Sequence, residues 1–137
     1  KRPGPRYSQL TFVNSAACGA GATITGAGVW IDADVQDTDF CHILCNGYGA
    51  AGLVEAITFS FAGTCEWGDN PTFPTQASFT VVVTGTGATM AVADAIIDTR
   101  AYRAIRLLSV TNGDASDGIV VSAWIDSKEY LEPSGLD

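Results

Sequence analysis

The chain has 137 residues, 47% hydrophobic and 16% charged, which is enough apolar material for one packed core and too little charge for a disordered chain. The formal net charge is −8, and from Tyr7 to Thr99 there are nine acids and no Lys or Arg. Such a body repels nucleic acid and anionic lipid, so neither is expected as a partner, and no run of about 18 apolar residues marks a membrane helix.

Residues 1–6, Lys-Arg-Pro-Gly-Pro-Arg, read as an extended basic arm, because two prolines remove amide donors and a glycine loosens the rest. No apolar stretch follows these charges, so no signal peptide is expected here. A β domain is expected over 7–128. A first strand is predicted over 7–13, followed by turn signals at Gly19-Ala-Gly21 and Gly26-Ala-Gly28. Alternation then places Val29, Ile31, Ala33 and Val35 on one face, with Trp30, Asp32 and Asp34 on the other. A strand over 39–45 leads to Gly49–Glu55, where one helical turn is a candidate. Ile57, Phe59 and Phe61 alternate with Thr58, Ser60 and Ala62, and Phe79, Val81 and Val83 with Thr80, Val82 and Thr84. Segment 88–97 is Ala-rich and fits strand or helix, with strand preferred. Strands at 101–110 and 119–125 complete the set, and an acidic tail over 129–137 is expected at the surface.

About eight short strands joined by Gly-rich turns predict an all-β chain, an antiparallel β-sandwich or jelly roll. The expected core is Ile31, Ile57, Phe59, Phe61, Phe79, Val81, Val83, Ile105, Leu107, Val121 and Ile125. The chain also echoes itself. Asp37-Thr38 and Asp98-Thr99 each precede an Ile- or Leu-rich strand, an Asn-Gly and an alternating strand. Two similar hairpins are the preferred reading over two related halves.

Cys18, Cys41, Cys45 and Cys65, with the only histidine, His42, make the one chemically suggestive cluster. On a strand, Cys41 and Cys45 share a face but lie about 13 Å apart. That is too far for a shared tetrahedral metal or for a mutual disulfide, which needs Cα atoms within about 7 Å. Disulfides would therefore have to pair these two with Cys18 and Cys65. The readings rank as buried or disulfide-bonded structural cysteines, then zinc, then a catalytic thiol. Cys41 and His42 point to opposite faces, which removes the obvious nucleophile–base pair. No Gly-x-Ser-x-Gly, His-Glu-x-x-His, phosphate-loop or dinucleotide fingerprint occurs. No catalytic, cofactor or metal residue is expected, and the chain is read as not an enzyme.

The acidic runs Asp32, Asp34, Asp37, Asp39 and Asn112, Asp114, Asp117 are read as solvated surface before weak calcium sites. Trp30 and Trp124 stand opposite the aliphatic faces, where they serve either a second apolar layer or a partner. Lys1, Arg2, Arg6, Trp30, Trp124, Asp32 and Asp34 are the candidate partner-binding residues. In this scheme a basic arm docks on a neighbour's acids.

The segment Ala101-Tyr-Arg-Ala-Ile-Arg-Leu-Leu-Ser-Val, a turn, and Gly118-Ile-Val-Val-Ser-Ala-Trp-Ile resembles a hairpin of small bacteriophage structural proteins. The resemblance covers the last third of the chain. It implies a virion component that binds copies of itself and other virion proteins, a capsid decoration (cement) protein before a tail or fibre subunit. The competing reading is an extracellular carbohydrate-binding β-sandwich module, whose partner would be a glycan. Third in order stands a small secreted enzyme.

Overall fold

A computed structural model describes residues 6–26, 30–68 and 71–129, and among these there is no helix. Lys1, Arg2 and the rest of the 1–5 segment lie outside the described residues, as do 130–137 of the acidic tail. The strands are β1 (Arg6–Cys18), β2 (Thr23–Thr25), β3 (Asp32–Asp34), β4 (Phe40–Tyr48) and β5 (Ile57–Thr64). They continue with β6 (Phe79–Val83), β7 (Met90–Asp98), β8 (Ala104–Asn112) and β9 (Ile119–Glu129). Arg6 and Glu129 face each other at the ends of β1 and β9, so the ladder extends one residue past each expected boundary.

One sheet has the order β1-β9-β4-β7, and the other β2-β8-β5-β6 with β3 also on β8. Because β2 and β3 occupy successive stretches of the same edge of β8, they act as one interrupted strand. The pairs β1·β9, β2/β3·β8, β4·β7 and β5·β6 then form one long antiparallel hairpin, rolled up and closed by β4·β9 and β5·β8. That is a jelly roll, as the strand pattern predicted.

The core lies between the sheets. Ile57, Phe59, Phe61, Val81, Val83, Ile105, Leu107, Val121 and Ile125 are buried as expected. Phe61 sits at its centre, edge-on to Phe12 (5.4 Å) and stacked on Phe79 (5.2 Å). Phe79 itself is only partly buried. Ile31 departs from the expectation: it is 42% exposed. Regular alternation begins only at Asp32; before it, the Trp30 amide bonds back to the Gly26 carbonyl, so period-two reasoning fails there. For the same reason Trp30 does not stand opposite the aliphatic face. Its ring packs against the core, over Gly26, where a Cβ would come within 2.1 Å of it.

Segment 88–97 resolves as a strand, with Ala91, Ala93, Ala95 and Ile97 turned inward. Residues 49–52 form a turn closed by Gly52 N–H on the Gly49 carbonyl, in place of the helical turn. Gly52 has φ +94°, and a Cβ there would lie 2.7 Å from the Gly87 carbonyl oxygen, so glycine is required.

The two threonines of the internal echo meet. Thr38 and Thr99 are buried with hydroxyls 2.6 Å apart, and Thr38 Oγ1 also donates to the Val35 carbonyl (2.6 Å). They tie the loop entering β4 to the loop leaving β7, beside the Phe40–Asp98 end of that ladder. At the other end, buried Asn112 donates to the carbonyls of Gly19 (3.1 Å) and Asp117 (2.9 Å).

Candidate functional site

Inward residues of β4, β7 and β9 fill the core, so alternate residues form the outer face of their sheet. On β4 these are Phe40, His42, Leu44, Asn46 and Tyr48; on β7, Met90, Val92, Asp94 and Ile96; on β9, Val120, Ser122 and Trp124. The register aligns them in rows. Val120, Tyr48 and Met90 make one row, Trp124, Leu44 and Asp94 another, and Asp126, His42 and Ile96 a third. Phe40, Tyr48, Met90, Val92, Ile96 and Val120 are all exposed, Ile96 at 73%. A soluble sheet face ordinarily alternates polar residues outward; here the outward positions are themselves largely apolar. At its end a shallow apolar groove of about 330 Å³ runs between Ala17, Gly19, Tyr48, Ala50, Gly118 and Val120.

Asp94 and Asp98 on this face have partners within the chain. His42 Nε2 lies 2.8 Å from Asp94 Oδ2. Arg100 donates from Nε and Nη2 to Asp98 (3.0 and 2.6 Å) and lies over the Phe40 ring. The Arg100 hydrogen bonds hold the Asp98 carboxyl down at about 2.

Other predicted residues lie apart from this face. Asp32 is opposite Arg106, which donates to it in a fork (2.8 and 3.0 Å) while covering the Phe73 ring at 4.1 Å. Asp32 is thus neutralised within the chain, whereas Asp34, Asp37 and Asp39 remain exposed. The side chain of Arg6 is outside the described residues. Trp124 does stand on the outer face, half-buried between Thr11 and Leu44. Asp114 Oδ1 accepts the amides of Ser116 and Asp117, so that carboxylate closes its own turn.

All four thiols are free in this structure. Cys18, Cys41 and Cys45 are buried between the sheets, and burial pushes their pKa values up, that of Cys45 to about 12. Cys65 departs from the expected buried set: it is exposed, one residue past the end of β5. Among the described residues no three His, Cys, Asp or Glu side chains cluster as metal ligands.

Sequence reasoning missed the apolar β7–β4–β9 face, though its residues were in plain sight. It also missed the 65–78 loop, whose Phe73 packs with Ala62, Ala104 and Leu108 over the opposite sheet. Trp67 on that loop is 71% exposed, with Arg103 over its ring.

No family model and no curated protein matches the chain. Solved structures do. A chain of infectious bursal disease virus, Gx strain, is 16% identical with a TM-score of 0.51, covering 92% of this chain and 32% of that one. The VP2 subviral particle of the same virus gives 13% identity and a TM-score of 0.50, covering 92% and 33%. The chain therefore spans about a third of the length of those two. The SPBc2 prophage-derived protein YomS is 11% identical over 93% of this chain and 98% of its own, with a TM-score of 0.42. The expected likeness to virion β-sandwich proteins thus holds, as a likeness of fold.

Proposed function

We propose that this chain is a non-catalytic structural subunit of a virus particle, located in the virion. Within that class, a bacteriophage capsid decoration protein is favoured over a tail or fibre subunit. The observation that carries the proposal is the exposed apolar face of β4, β7 and β9. Burying apolar surface stabilises association by about 25 cal/mol per Å², and a face this apolar is unfavourable in water until a neighbour covers it. Tyr48 and Val120 border the end groove and Trp124 stands four residues further along β9 on the same face; together they suit an anchor. The fold-level likeness to a viral capsid chain supports the same class. The basic arm, Lys1, Arg2 and Arg6, would add a steering contact to a neighbour's Asp34, Asp37 and Asp39, with Asp32 already engaged by Arg106. Exposed ion pairs are worth only about 0–1 kcal/mol, so the arm tunes binding and the apolar face drives it.

The test is co-sedimentation of purified chain with particles depleted of it. Binding is expected, and Tyr48→Lys/Val120→Lys should abolish it while leaving the fold intact by circular dichroism. Unchanged binding by that variant would remove the outer face from the account.

A second reading rests on Trp67. An exposed indole with a stacked arginine suits the face of a sugar ring, as in an extracellular glycan-binding module. It predicts retention on a glycan column, lost in Trp67→Ala.

A further inference from the structure

The jelly roll leaves four sheet edges, and they are not equally protected. An unpaired edge exposes a row of backbone N–H and C=O groups that any extended strand can join, so chains normally blunt it. β1 is interrupted by two register shifts, the second of them containing Ser15 at φ +54°. On the other sheet, one edge is broken into β2 and β3 of three residues each, and the opposite edge, β6, is only five residues long. β7 carries none of these devices. Its nine residues pair with β4 in nine consecutive steps without a bulge. Its sequence, Met-Ala-Val-Ala-Asp-Ala-Ile-Ile-Asp, holds no Pro, Gly, Lys or Arg. Of its two acids, Asp98 is ion-paired with Arg100 and Asp94 accepts a hydrogen bond from His42.

We propose that β7 pairs with β7 of a second copy, antiparallel about a two-fold axis, joining two four-stranded sheets into one of eight strands. A second copy is the occupant because the pairing strand must itself be long, regular and unprotected, and β7 is the one such edge among the described residues. An axis perpendicular to the sheet keeps every residue on its own face; passing through Ala93, it sets Met90 opposite Ile96 and Val92 opposite Asp94 of the second copy, so no Asp meets its own counterpart and the apolar outer face continues across the junction. A nine-residue edge spans only about 30 Å and falls short of a standard interface by itself, so the isolated dimer is weak and concentration-dependent. The inference deepens the proposed role in assembly by naming one of its contacts, and it is tested without particles.

Analytical ultracentrifugation of the full chain should show a monomer–dimer equilibrium below about 1 mM. Val92→Lys/Ile96→Lys, both on exposed positions, should weaken it roughly tenfold or more, whereas Val82→Lys on β6 should not. Hydrogen exchange on the unmodified chain needs no variant: β7 amides should gain protection as concentration rises. A chain monomeric up to about 1 mM, a dimer unaffected by the double substitution, or β7 amides that stay unprotected in the dimer would each overturn the inference. A chain that dimerises through β7 but ignores every particle would leave it standing and remove the virion reading instead.

Discussion

Phe61 offers the sharpest test of which side of each strand is the core. It is fully buried, edge-on to Phe12 and stacked on Phe79, so Phe61→Ala deletes a ring with neighbours in both sheets. Burying a phenylalanine removes on the order of 200 Å² from water, worth up to about 5 kcal/mol at 25 cal/mol per Å². Measured Phe→Ala losses of about 3–5 kcal/mol agree with that figure. A domain of this size has roughly 7–15 kcal/mol in total, so the substitution removes roughly a fifth to seven-tenths of it. With a urea slope of about 2 kcal/mol per M, the midpoint should fall by about 1.5–2.5 M. Phe40 is the control. It is 52% exposed on the outer face, touched chiefly by Arg100, and Phe40→Ala should cost no more than about 1 kcal/mol. If Phe61→Ala costs less than about 1 kcal/mol, or Phe40→Ala costs as much as Phe61→Ala, the two faces are exchanged and the assembly surface goes with them.

Iodoacetamide at about pH 8 should label one thiol per folded chain, Cys65, and all four only after unfolding; two or more labels at full native signal would contradict the buried, neutral state of Cys18, Cys41 and Cys45. Asp98 titrates in the folded chain at about 2, below the ordinary carboxylate value near 4, so whatever stability it adds is present above pH 4 and is lost as pH falls toward 2. Asp98→Asn should therefore be less stable than the parent at pH 6 and converge with it by pH 2; a gap that widens on acidification would reverse the assigned sign. Deleting residues 1–5 should leave the melting curve unchanged and weaken particle binding, and high salt should reproduce part of that loss in the full chain. Equal binding with and without the segment at both salt concentrations would make the arm irrelevant.

Most strands were readable because one face is buried: Ile57, Phe59 and Phe61 show period two against Thr58 and Ser60. β7 was ambiguous for a physical reason that is itself informative. Its inward residues are mostly small alanines and its outward ones are Met90, Val92 and Ile96, so hydrophobicity hardly alternates. The same inversion hid the candidate site, since a sheet with apolar residues on both sides does not announce which side is free. β1 runs on to Cys18 beyond its expected end because the shift at Asn14–Ser15 resets the register, which a strict alternation rule reads as a stop. Trp30 and Ile31 were assigned by alternation in a stretch that is not strand. Phe73 reached the opposite sheet through a loop, and no local pattern encodes where a loop returns. The Thr38–Thr99 contact was foreshadowed by the internal echo, although repetition alone does not reveal that the two copies touch.

The central claim, that the chain is a structural subunit whose apolar sheet face is covered by neighbours, is tested most directly by counting it in particles. Quantitative mass spectrometry of purified virions from the source of the chain should find it in fixed stoichiometry to the major capsid protein, at a copy number set by particle symmetry. Its absence from every particle, together with monomeric protein retained on a glycan column, would contradict the claim.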